Sequence, residues 1–93
     1  MKRIIRRTSQ FKKDVKRQGK REEDFKEFKG LVSKIIEGVP LPSKYRGHKL
    51  IGNYKKYKDV RECHVEPDWL LIYLRTENEV ILVRTGTHAD LFG

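Results

Sequence analysis

Arg61-Glu62-Cys63-His64-Val65-Glu66-Pro67-Asp68-Trp69-Leu70-Leu71-Ile72-Tyr73-Leu74 is the stretch that decides the fold of this chain. Val60 to Val65 and Trp69 to Leu74 are strand-like runs, and Glu66-Pro67-Asp68 between them is turn chemistry, so the stretch predicts an antiparallel hairpin. A second turn at Thr76-Glu77-Asn78 leads into a third strand, Glu79 to Arg84. Leu70-Leu71-Ile72 is apolar without alternation, which places that strand centrally, covered by helices on one face and partly by side chains on the other.

Upstream of the hairpin the period changes from two to 3.6. Between Arg21 and Glu37, Phe25, Phe28, Leu31, Val32, Ile35 and Ile36 form one apolar stripe, with Glu22, Glu23 and Asp24 in the first turn and Gly38 and Pro40 as the stop. Before it, the β-branched pair Ile4-Ile5 within Lys2 to Arg7 reads as a first strand, and Thr8 or Ser9 caps a helix. Phe11 and Val15 set that helix's apolar side, and Gly19 closes it. The proline-restricted segment Pro40 to Leu50, which holds His48, reads as an irregular connection. The expectation is a single α+β domain over residues 1–93 in the order β-α-α-β-β-β with a short C-terminal segment. Its two N-terminal helices form a hairpin packed on one face of a mainly antiparallel sheet.

Composition narrows the partners. Lys and Arg number 22 against 13 Asp and Glu, a formal charge of +9 on 93 residues, and such a field suits RNA, DNA, an anionic membrane or an acidic protein. With 37% hydrophobic residues the chain fills one modest core and leaves no room for a second binding module. Cys63 is the single cysteine, so stability comes from packing and a reducing, cytoplasmic setting fits. Ile4-Ile5 is too short for a signal peptide, and no stretch reaches the roughly 18 apolar residues of a membrane span. A soluble chain that is not exported is expected. One cysteine and three widely separated histidines show no metal-ligand spacing, so the site is expected to be metal-free and without a cofactor.

The chemistry lies in the polar positions around the histidines. Alternation puts Glu62, His64 and Glu66 on one strand face and Arg61, Cys63 and Val65 on the other, so His64 sits between carboxylates. A lone strand histidine is more often structural, and turn chemistry alone accounts for Asp68. Trp69 opens an apolar strand and reads first as a core aromatic; Tyr45, Tyr54 and Tyr57, set among lysines and arginine, are better base-stacking candidates. Gly86 allows a tight turn that returns His88 to the sheet edge near Arg84, and Leu91-Phe92 is expected to fold back into an apolar recess and hold His88 steady. Imidazoles, carboxylates and arginine in a basic chain are the groups that proton transfer on a phosphodiester requires, which points to RNA cleavage.

These residues resemble the YafQ branch of the RelE/ParE toxin superfamily, small bacterial toxins of type II toxin–antitoxin modules. The resemblance rests on Phe11-Lys12-Lys13-Asp14-Val15, Pro40-Leu41-Pro42 with His48 and Leu50, the Arg61 to Tyr73 block, and Arg84-Thr85-Gly86-Thr87-His88 followed by Leu91-Phe92-Gly93. It implies a small RelE-like fold and a ribosome-dependent, metal-independent mRNA endonuclease that cuts the A-site codon through the ribose 2′-hydroxyl, inhibiting translation. An acidic antitoxin of the DinJ/RelB kind would hold it inactive, the free toxin being a monomer and the complex a hetero-oligomer. The resemblance further implies that His48, His64, Asp68 and His88 are catalytic, and that Glu62, Arg84 and Phe92 assist. Lys12, Lys13, Lys16, Arg17, Lys55, Lys56, Lys58 and Arg61 would bind ribosomal RNA, and some of them the antitoxin. The lysine-rich run from Gly52 to Val60 departs from the shorter, glycine- and tryptophan-containing pattern usual in the family.

Two other readings predict different observations. A non-catalytic ribosome or RNA binder needs only charge and aromatics and creates no new RNA ends. A gyrase-inhibiting relative of ParE shares the fold and blocks supercoiling, a role for which three histidines are superfluous.

Overall fold

The computed structural model describes residues 4–20, 25–45, 48–49 and 60–92. They form β1 (Ile4–Arg7), α1 (Ser9–Lys20), α2 (Phe25–Glu37), a 3-10 turn (Ser43–Tyr45), β2 (His48–Lys49), β3 (Arg61–Glu66), β4 (Trp69–Arg75), β5 (Glu79–Gly86) and α3 (His88–Phe92). The sheet order is β1-β5-β4-β3-β2. β1 runs parallel to β5 and the other pairs are antiparallel, so the sheet is mixed but mainly antiparallel, as the strand pattern requires.

The central place of β4 explains its lack of alternation. Trp69, Leu71 and Tyr73 face the helices and pack with Phe11, Phe28, Leu31 and Ile35, while Leu70 and Ile72 join Val60, Val83 and Leu91 in a second cluster. A strand covered on both faces has no polar side to show. Trp69 is fully in the core: its ring stacks on Phe28 at 5.4 Å and 4°, and its indole N–H donates to Thr85 Oγ1 at 2.9 Å.

Local signals act where the backbone needs them. Thr8, not Ser9, caps α1: its Oγ1 accepts from the Phe11 amide at 2.9 Å and donates to the Val83 carbonyl at 2.7 Å, tying the helix start to β5. Gly38, at φ 79°, ends α2 as expected, with Val39 N–H bonding back to the Lys34 carbonyl at 3.2 Å. Gly19 does not end α1, which continues to Lys20. The expected acidic first turn of α2, Glu22 to Asp24, lies outside the described residues, where α2 begins at Phe25. The connection around His48 is not wholly irregular: His48 and Lys49 pair with Glu62 and Arg61 as a short edge strand.

Cys63 is fully buried on β3, and burial, with the Glu62 charge beside it, pushes its thiol up to about 12. The thiolate is the reactive form. At pH 8 the folded protein is therefore expected to release no colour with a disulfide thiol reagent over minutes, and one equivalent after denaturation; rapid reaction of the folded form would contradict this burial.

Candidate active site

The hairpin turn and the end of β5 bring three polar side chains together. Asp68, in the β3–β4 turn, accepts from the His88 backbone N–H at 2.9 Å, and the same oxygen lies 2.6 Å from His88 Nδ1. His88 is the first residue of α3, so its N–H is one of the donors a helix start leaves unpaired, and Asp68 satisfies it from another element. The backbone N–H, the ring bond and then the ring's charge hold the Asp68 carboxyl below its ordinary range, against desolvation and, more weakly, the charge of Asp90. An ionised carboxylate only accepts, so Nδ1 carries the proton facing it and Nε2 is turned to its own surroundings.

His64 completes the group. Its ring centroid lies 5.7 Å from that of His88, the planes inclined at 51°. Its Nε2 is 3.5 Å from Glu62 Oε1 and its Nδ1 is 3.4 Å from the Pro67 carbonyl. The His64 side chain is 11% exposed and that of His88 54%, so one imidazole is recessed and the other open. A cavity of about 260 Å³ borders His64, lined also by Glu27, Lys44, Tyr45, Glu66 and Pro67. A register shift between His64 and Glu66 interrupts the alternation that put Glu62, His64 and Glu66 on one face, and Glu66 is exposed beyond it.

The other anticipated residues are placed less uniformly. His48 stands opposite Glu62 in the β2–β3 register. Phe92, expected in an apolar recess, is 50% exposed, and Leu91, at 5%, is the buried member of the pair. Five residues make little more than one helical turn, and only one side of it meets the sheet. Arg84 is buried and held at two points by Asp14, Nε to Oδ2 at 2.7 Å and Nη2 to Oδ1 at 3.0 Å. Lys12, Lys13 and Lys16 are exposed on α1 and Arg61 on β3. Arg17 instead turns inward to acidic and carbonyl partners. Tyr45 is buried, its hydroxyl donating to Glu27 Oε1 at 3.2 Å, and so is not an exposed stacking surface. Lys55, Lys56, Lys58, Tyr54 and Tyr57 lie outside the described residues.

Asp14 is the residue that sequence reasoning missed. Wholly buried, it accepts from Arg84, from Gln10 Nε2 at 3.2 Å and from the Thr85 amide at 3.2 Å. Burial raises its carboxyl, but the bonds from Arg84, Gln10 and Thr85 and the Arg84 charge outweigh it, and the net shift is downward. Its position one turn from both Phe11 and Gln18, on the inward side of α1, was the available signal. Thr87 and Asp90 form a reciprocal cap on α3, Thr87 N–H to Asp90 Oδ2 at 3.0 Å and Asp90 N–H to Thr87 Oγ1 at 3.1 Å, a spacing also visible in the sequence.

Residues 3–93 match the family model described as the bacterial toxin of a type II toxin-antitoxin system, YafQ. The mRNA interferase toxin YafQ of Escherichia coli K12 is 46% identical over 92 residues, which are 98% of this chain and 97% of that protein. The toxin–antitoxin complex DinJ-YafQ of E. coli contains a chain of the same fold, with TM-score 0.90, 44% identity and full coverage of both chains. A metal-bound toxin from Helicobacter pylori matches with TM-score 0.86 and 38% identity over 96% of this chain and 98% of that one. The fold and the sequence agree: the chain belongs to the YafQ family of type II toxin–antitoxin toxins.

Proposed function

We propose that this chain is an mRNA endonuclease that works in the ribosomal A site and transfers the ribose 2′-hydroxyl onto the adjacent phosphate. The observation that carries the reading is the Asp68–His88–His64 arrangement, with 2.6 Å between Asp68 and His88 Nδ1 and 5.7 Å between the two rings. Relatives named mRNA interferase toxin, 46% identical, support it.

Cleavage of this kind takes a proton from the 2′-hydroxyl and gives one to the departing 5′-oxygen. Imidazole is a side chain that can both take and give a proton, and two of them side by side can divide the two roles. His88 is assigned as general acid through Nε2, with Asp68 fixing its tautomer and orientation. His64 is assigned as base, with Glu62 beside its Nε2 and His48 at the next strand. Arg84, engaged by Asp14, is assigned to hold β5 beside His88 more than to touch phosphate. Phe92 follows His88 by one helical turn, and its exposed ring is assigned to stack on a nucleotide. Balanced this way, the 2′-oxygen–phosphorus bond forms as the phosphorus–5′-oxygen bond breaks, and no metal is required.

Exposed Lys12, Lys13, Lys16 and Arg61 suit ribosomal RNA phosphates, whose binding weakens steeply with salt. An apolar groove of about 460 Å³ floored by Phe11, Val15, Phe25, Phe28 and Val32 and rimmed by Arg7, Lys12 and Lys29 suits an acidic amphipathic antitoxin segment.

The test is to map 5′ ends of a translated message after brief induction, with and without kinase treatment. New ends inside codons that ligate only after phosphorylation, and that vanish when the start codon is removed, are the expected result. Arrest without new ends would favour a non-catalytic binder, and 5′-phosphate ends would overturn the 2′-hydroxyl route.

A further inference from the structure

Arg17 carries a positive charge on a basic helix, yet one of its nitrogens lies within 3.4 Å of oxygens on three elements. Nη2 lies 3.0 Å from Asp14 Oδ1 in α1, 3.3 Å from the Thr85 carbonyl in β5 and 3.4 Å from Asp90 Oδ2 in α3. The same Asp90 oxygen accepts the Thr87 amide and so caps the helix whose first residue is His88. The guanidinium sits over Gly86: a Cβ there would come 2.7 Å from Arg17 Nη2 and 2.9 Å from Asp90 Oδ2, and the backbone at φ 155° is one that L side chains rarely adopt.

Five residues do not form a stable helix unaided. Leu91 holds one end of α3 to the sheet, and the Thr87–Asp90 cap forms the other. We propose that Arg17 is a positioning residue of the cleavage site: it anchors the Asp90 cap to α1 and thereby fixes His88 against Asp68. This rests on the nuclease reading above and removes Arg17 from the RNA-contact set.

The two roles for Arg17 give opposite signs. Were it a phosphate contact, Arg17→Met would weaken ribosome binding and reduce the log–log salt slope by about 0.7 to 0.9, and Asp90→Asn, by removing a competing carboxylate, would strengthen binding. As a positioning residue, Arg17→Met and Asp90→Asn both lower kcat on programmed ribosomes by about 10- to 100-fold, with KM and salt slope unchanged. Both also shift the ring ¹⁵N resonances of His88 in the RNA-free protein in the same direction, and the double variant is no worse than either single one. Because the contacts run through a single nitrogen, Arg17→Lys recovers part of the rate. If Arg17→Met does not fold, Asp90→Asn and Arg17→Lys decide the matter. Unaltered His88 resonances in the folded variants, or a loss confined to KM and salt slope, overturn the proposal. If the parent chain cuts no RNA, the nuclease reading fails, and the resonances still decide whether Arg17 sets the position of His88.

Discussion

His88→Ala is expected to lower cleavage on programmed ribosomes by about 10²- to 10⁴-fold, the range for a positioned general acid, while leaving the melting temperature nearly unchanged. The ring is about half exposed, so removing it opens no cavity. The backbone N–H of residue 88 still donates to Asp68, and α3 keeps its Thr87–Asp90 cap and its Leu91 anchor. Asp68→Asn is expected to act in the same direction, because an amide no longer selects the Nδ1–H tautomer. Single-turnover rates with parent and variant ribosome affinities measured alongside provide the check. A His88→Ala rate within about threefold of the parent would remove the general-acid assignment, since that role is worth at least about 10².

Asp14→Ala is expected to produce the largest loss of stability, about 3 to 5 kcal/mol, because it removes the buried carboxylate that takes two of the Arg84 guanidinium nitrogens. Total stabilities of small domains are about 5 to 15 kcal/mol, so the variant should stand near the unfolding threshold. Adding Arg84→Met is expected to restore part of the loss, since it removes the buried charge that Asp14 offsets. Urea denaturation of the two variants measures both. The acid limb gives an independent reading. The folded carboxyl is held below its ordinary 3.8, so the unfolded chain binds the proton more readily. The stabilisation is complete above that ordinary value and is lost as pH falls through the lowered folded value. Asp14→Asn should flatten that limb; an unchanged acid transition would show that Asp14 does not carry it.

Much of the scaffold was legible because periodicity reports burial. The stripe from Phe25 to Ile36 and the uniform apolarity of Leu70-Leu71-Ile72 state which faces are covered, whatever covers them. The Glu66 to Asp68 turn sets His64 against the Pro67 carbonyl through local chain reversal. Tyr45 misled because its basic neighbours suggested solvent, whereas Glu27 from α2 receives its hydroxyl.

Arg17 and Arg84 show the limit of charge read along a chain. Arg17 was expected to bind RNA and Arg84 to assist the site, and both are engaged by Asp14, three residues from Arg17 but 70 from Arg84. What the sequence by itself determined is therefore the elements, the central place of the hairpin strand and the residue types gathered for acid–base work. Only the tertiary structure decided which of those residues meet. The β1-β5-β4-β3-β2 order sets the end of β5 beside the hairpin turn, bringing His88 to Asp68 across 20 residues, and α1 lies against β5 so that buried Asp14 takes both arginines. A hydrophobic period encodes a face, whereas a charge encodes only a sign, and its partner is chosen by whatever the packed chain brings within reach.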